Sequence, residues 1–193
     1  MGAVLEPRPG EHAVDEDVAC SSEGRRMNIR FKITSALLKT IRDDLHRPHP
    51  FAHERVGFIS AGLAAAHDEL LILARSYEPL RDDEYLRDDR VGAMMGDQAI
   101  RRARQAAMDS RAAVFHVHTH SGSGMPGFSG VDNRENAKFV PNFVSVAPHS
   151  VHGAIVLSNT AAFGQVWIGR TGPHPFVNQF SEIGMPIKNW RAA

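Results

Sequence analysis

The sequence predicts an α/β domain built on a mixed, mostly antiparallel sheet flanked by helices, in the order β-α-β-β-α-β-α-β-β. Three observations predict it. From Met27 onward, strand-like apolar runs alternate with segments whose apolar residues recur at helical spacing. Two pairs of strands are separated only by a short polar turn, at His67 and Asp68 and at Asn159 and Thr160, so each pair reads as a hairpin. Finally, 193 residues with 42% hydrophobic content suffice for one sizeable core and leave no room for a second domain.

The elements follow in order. MNIRFKIT reads as the first strand, and TSALLKTIRDDLHRP as a helix with Leu37, Leu38, Ile41 and Leu45 on one face. Thr34 and Ser35 give that helix a start signal, and Pro48 stops it. ERVGFISAGLAA and ELLILARSYEP are two strands, and RDDEYLRDDRVG is a charged loop. DQAIRRARQAAMDS is a helix with Ile100, Ala103 and Ala107 inward and arginines outward, and AAVFHVHTH is a buried strand. A third helix starts near Ser129, its length limited by Pro141. HGAIVLS and AAFGQVWIG close the sheet as a hairpin, and the stretch from Thr171, with Pro173, Pro175 and Pro186, has no assignable pattern. Residues 1–26 carry Glu6, Glu11, Asp15, Glu16, Asp17 and Glu23 with Pro7 and Pro9 and no apolar period. They are expected to form a mobile tail ahead of a domain spanning 27–193.

Composition narrows the functional classes. Lys+Arg and Asp+Glu both number 22, and no basic stripe interleaved with aromatics is present, so a nucleic-acid partner is not expected. Cys20 is the only cysteine, which excludes an internal disulfide and a cysteine-based zinc site. No apolar run approaches the roughly 18 residues of a membrane span, and the acidic N-terminus is unlike a signal peptide. The expectation is a soluble cytoplasmic protein without a membrane partner.

The chemistry concentrates in FHVHTHSGSGMPGFSGVD. On a strand, His116, His118 and His120 project to one face at intervals of about 6.6 Å. Neighbouring imidazoles can tilt onto one ion at Zn–N distances of about 2.0–2.1 Å, whereas His116 and His120 start about 13 Å apart. His116 is therefore expected as a wall residue, and a pair from this strand needs a third ligand from elsewhere. Asp132 is the candidate. Gly122, Gly124, Gly127 and Gly130 permit a sharp reversal and Pro126 stiffens it, so the chain can return a carboxylate beside two imidazoles. Two histidines and one aspartate leave the fourth position of a zinc ion to water, the open form of a catalytic site. The same residues admit plainer readings: alternating histidines also occur in cores, and SGVD fits a capping box with Ser129 at the N-cap and Asp132 three positions on.

Together with HERVGF, which carries Glu54 and Gly57, the pattern HTH-x8-S-x-x-D resembles the signature of the JAMM, or MPN-domain, zinc metallopeptidases. These are isopeptidases that remove ubiquitin and ubiquitin-like proteins. The resemblance runs over residues 27–169 and implies an MPN fold with one catalytic zinc held by His118, His120 and Asp132, Glu54 as general acid/base, and Ser129 as a hydrogen-bond donor to the oxyanion. The His120-to-Ser129 interval is one residue longer than is common in the family, and Ser121 stands where proline is frequent. The PGF-containing loop and SYEPLRDDEYL look most like bacterial members that accompany ubiquitin-like conjugation enzymes in antiphage operons, which implies a ubiquitin-like protein, its conjugates and E1- or E2-like enzymes as partners. In the resembled family, insertions between the glutamate strand and the metal strand help to hold that partner, and RDDEYLRDD occupies this interval. Two alternatives belong to other classes: a non-catalytic MPN binding module, which would lack ligands, and a zinc hydrolase for a sulfur-carrier precursor or a small amide.

Overall fold

A computed structural model describes residues 27–88 and 90–191 of the chain. The tail expected over residues 1–26, Cys20 included, lies outside the described residues.

Strand β1 (Asn28–Thr34) alternates buried and half-buried residues, then turns into α1 (Ser35–Leu45) where Thr34 caps the helix by accepting from the Leu37 N–H. Leu38, Ile41 and Leu45 are buried, Leu37 packs beside them, and the helix ends at His46, ahead of Pro48. β2 (Val56–Ala66) and β3 (Glu69–Pro79) form the expected hairpin, with His67 in the left-handed region at φ 51°. The segment read as a charged loop is instead built: a 3-10 turn at Asp82–Glu84 leads into β4 (Tyr85–Leu86), which pairs with β5 (Met94–Met95) as a separate two-stranded ribbon.

Helix α2 (Asp97–Ser110) buries Ala99, Ala103 and Ala107, with Ile100 at the edge of a cavity rather than in the core. β6 (Ala113–Thr119) is buried almost throughout, and α3 (Gly130–Val146) follows. The expectation that Pro141 limits α3 is corrected. The helix continues to Val146 because the carbonyl left without a partner is that of Ala137, an exposed residue whose backbone water can reach. β7 (His152–Leu157) and β8 (Ala162–Trp167) make the second predicted hairpin. The stretch with no assignable pattern supplies two further strands, β9 (Gln179–Ile183) and β10 (Lys188–Arg191).

Eight strands form one sheet in the order β10-β9-β1-β3-β2-β6-β7-β8. Four of its seven pairings are antiparallel and three, β1 with β3, β1 with β9 and β6 with β7, are parallel, so the sheet is mixed as expected. Helices cover both faces. Phe31, Phe115, Val117 and Ile155 join α1 in one core, whereas Phe58, Val114 and Phe143 pack with α2 and α3 in the other. Covered on both sides, β6 reads as a continuous apolar run interrupted only by histidines. Among the described residues, no helix is long and apolar enough to cross a membrane.

Candidate metal centre

Strand pairing aims the histidines. Because β2 runs antiparallel to β6 with Val56 opposite His118 and Phe58 opposite His116, these four side chains share the α2 and α3 face. Glu54, two residues before Val56 in the bend ahead of β2, falls beside the C-terminal end of β6. His120 lies just past that end, its N–H donating to the Leu157 carbonyl at 2.8 Å. One ligand atom each from Glu54, His118 and His120 lie within 4.8 Å of one another.

The glycine-rich loop brings Asp132 to the same place. Gly122 and Gly124 both adopt φ 100°, whereas Gly127 and Gly130 keep ordinary backbone angles, so two of the four glycines make the reversal. The loop is pinned to the β7–β8 turn: Ser158 Oγ donates to the Gly124 carbonyl at 2.6 Å, the Gly124 N–H donates to Thr160 Oγ1 at 3.0 Å, and the Asn159 N–H donates to the Gly122 carbonyl at 3.0 Å. Ser129 then caps α3 in a complete capping box, its Oγ accepting from the Asp132 N–H at 3.1 Å while its own N–H donates to Asp132 Oδ2 at 2.7 Å.

The donor spacing fits a metal. His118 Nε2 and His120 Nε2 are 3.2 Å apart, and Asp132 offers Oδ1 at 3.4 Å from the first and Oδ2 at 3.3 Å from the second. Two donors each about 2.05 Å from one tetrahedral ion lie about 3.3 Å apart, so each separation taken singly suits a shared ion, with each carboxylate oxygen facing one imidazole. His118 is only 1% exposed, and a buried imidazole edge to edge with another needs a shared cation or proton between the facing nitrogens. Burial works to raise the Asp132 carboxyl, yet hydrogen bonding and attraction from His118, with the Ser129 N–H, hold it well below the usual carboxylate range.

His116 takes no part in this set. It is 7% exposed between Phe58 and Phe139, its ring centroid 5.4 Å from that of His118, and neither ring nitrogen has a hydrogen-bond partner among the described residues. Burial pushes its pKa down to about 3, and the His118 ring adds to that. His152 is fully buried in β7, accepting from the Val114 N–H on Nδ1 and donating to the Ala147 carbonyl from Nε2. His149 and His53 are exposed. Trp167 is buried, stacked on His174, and Phe163 contacts Phe128 and Phe176, as packing residues should.

Two concavities meet at Glu54. One, about 330 Å³, is walled by Val91, Met94, Met95, Ile100 and Phe139 and reaches His118 and Asp132; the other, about 510 Å³, is a polar groove along His53 and His120 beside the loop after α1. Two residues that hold Glu54 carried no sequence signal. The Gly92 carbonyl accepts the N–H groups of both His53 and Glu54, and a Cβ at Gly92 would lie 2.6 Å from the Glu54 carboxylate. Arg55, the residue between Glu54 and the apolar run of β2, is buried.

The chain matches no protein-family model and no curated protein. Among solved structures, the STIL N-terminal domain of Trichoplax adhaerens is similar over 69% of this chain at 11% identity, with a TM-score of 0.34. This chain spans 39% of that structure's length, and a likeness so loose says nothing of fold family or function.

Proposed function

We propose that the protein is a zinc-dependent isopeptidase or peptidase of the JAMM type that removes or processes a ubiquitin-like protein at its C-terminus. The observation that carries this reading is the set of donor spacings among His118, His120 and Asp132, with Glu54 alongside and Ser129 at the mouth of the same helix. Zinc held by the two imidazoles and the Asp132 carboxylate supplies Lewis acidity toward water and the scissile carbonyl.

The chain's own groups do the rest. Glu54 takes a proton from the attacking water and returns it to the departing lysine amine as the C–N bond breaks, ending in the state in which it began. Ser129 Oγ accepts from the Asp132 N–H, which leaves its own O–H free to donate to the oxyanion. The apolar cavity, and the exposed Leu86 and Met94 paired across the β4–β5 ribbon, favour an extended polypeptide tail lying along that ribbon toward Glu54. The resemblance to bacterial members of antiphage operons supports a substrate among ubiquitin-like conjugates, with E1- and E2-like enzymes of the same cytoplasmic system as further partners.

The test combines zinc content with cleavage of a ubiquitin-like fusion. Glu54→Ala is expected to keep zinc and lose cleavage, and His118→Ala to lose both. A wild-type protein that takes up no zinc, or a Glu54→Ala variant that still cleaves, overturns the reading.

A further inference from the structure

Glu54 sits in a bend rather than in β2, where no ladder hydrogen bond fixes it. The next residue compensates. Arg55 is 1% exposed, among the largest side chains buried so completely, and each of its three guanidinium nitrogens has an oxygen within 3.0 Å. Its Nε donates to the Arg47 carbonyl at 2.8 Å and Nη2 to the Pro48 carbonyl at 3.0 Å, both in the loop after α1. Nη1 pairs with Asp82 Oδ1 at 2.8 Å in the 3-10 turn, and the cation stands 5.8 Å from the centroid of the Tyr85 ring. Tyr85 Oη in turn accepts from the Val56 N–H at 3.0 Å.

The two residues after Glu54 are thus tied to three segments. The bonds of Arg55 and Val56 reach the loop after α1, the 3-10 turn and β4, and the Gly92 carbonyl closes the frame on the His53 and Glu54 amides. A buried cation removed from water persists only where its hydrogen bonds are met, and a fork of fixed N–H directions meets them in one geometry. Burial works against the Arg55 charge and the Asp82 carboxylate more than restores it. Such a cation over-determines the chain at the residue beside it.

We propose that Arg55 is a positioning residue that, through the carbonyls of Arg47 and Pro48 and the carboxylate of Asp82, holds Glu54 over the histidine pair. This rests on the role given to Glu54 in the proposed function. The oxygens that Arg55 meets belong to Arg47, Pro48 and Asp82 and not to Glu54 or Asp132, so its effect passes through the placement of its neighbour. A displacement of about 1 Å in a catalytic group costs on the order of 10²-fold in rate.

The experiment compares wild type, Arg55→Lys, Asp82→Asn, Glu54→Gln and the double variant Arg55→Lys with Glu54→Gln in the fusion-cleavage assay, with zinc content and backbone amide exchange on each. Arg55→Lys keeps the charge and loses the fork. It is expected to bind zinc as wild type does, to leave KM unchanged, and to lower kcat about 10–100-fold. In the Glu54→Gln background the same change is expected to cost nothing further, because it acts only through that carboxylate. A loss that adds fully in the double variant, or a fall in zinc content matching the fall in kcat, overturns the proposal. Should Arg55→Lys fail to fold, Asp82→Asn decides: lower kcat with full zinc supports it, and unchanged kcat overturns it. Should the wild type cleave nothing, the proposed function falls and amide exchange decides the positioning role. Faster exchange at His53 and Glu54 alone in Asp82→Asn upholds it, and unchanged exchange there overturns it.

Discussion

Asp132 serves two structures with one carboxylate. Its Oδ2 accepts from the Ser129 N–H to complete the cap of α3 while both oxygens face imidazoles. The capping box of SGVD is therefore compatible with the metal-ligand reading, and α3 fixes the carboxylate's orientation at its first turn. His152 shows the opposite fate of a histidine in this fold. Both nitrogens are committed in the neutral form, and burial is the first cause holding its pKa below the ordinary 6.5. The sign follows from linkage. Below about pH 6.5 the unfolded chain binds a proton that the folded chain refuses, so this contribution is complete above 6.5 and is lost as pH falls toward the folded value. The melting temperature is expected to decline on acidification from pH 7 to 5, and His152→Gln to flatten that decline. An imidazole signal of His152 titrating near 6.5 in the folded protein would contradict it.

At the level of elements, the interval between Pro79 and α2 separates what a sequence shows from what it hides. RDDEYLRDD has the composition of a solvated loop, yet one of its first three acids is buried and a second is tied to a buried arginine. Glu84, 3% exposed, accepts from the Arg81 N–H and from Arg102 Nε and Nη2, and Asp82 pairs with buried Arg55. Asp83 remains 78% exposed at its side chain. Charge reversal therefore divides. Glu84→Lys is expected to destabilise the fold by about 3–5 kcal/mol, the cost of breaking a buried pair, as denaturant titration would show, whereas Asp83→Lys leaves stability alone and reads partner affinity. Unchanged affinity in Asp83→Lys removes this turn from the partner surface. The candidate ligands were legible because they lie on one strand end and on the helix start that the next loop delivers, where a two-residue period and a glycine reversal suffice. Arg55 and Gly92 were not, since their partners lie 7 to 39 residues away and no local pattern encodes a carbonyl acceptor. Pro141 misled because whether a proline ends a helix depends on which side the orphaned carbonyl faces, which only packing decides.

At the scale of the whole molecule, the segment after β8 joins strands that stand far apart in the sheet. The Val166 N–H donates to the Pro175 carbonyl and the Val177 N–H to the Gly164 carbonyl, holding residues 175–177 along β8. The next residue, Asn178, donates from its N–H to the Ile29 carbonyl and accepts from the Ile29 N–H on Oδ1, which places it on β1. The sheet therefore curls so that β8 and β1 approach across the core beneath α1, and β9 continues parallel to β1 with Phe180 opposite Phe31. Phe180 is 2% exposed, its ring 5.5 Å from that of Phe31, and it fills the space left by Gly164, where a Cβ would meet it at 2.9 Å. This closure lies outside residues 27–169, the part of the chain that carries the motif resemblance, and its prolines and polar residues hid it from periodicity. If it is integral to the fold, Phe180→Ala should cost about 3–5 kcal/mol, the range for a buried phenylalanine, out of a total of about 5–15 kcal/mol for a domain. Phe176, half exposed on the same segment, is the control, and its truncation to alanine is expected to cost far less. Urea titrations of both variants decide the matter. Equal midpoints would make the segment an appendage to a core complete without it, and a chain ending at Arg170 would then fold, whereas a large shift confined to Phe180→Ala makes β9 part of the core that holds β1, β3 and β2 in register behind Glu54.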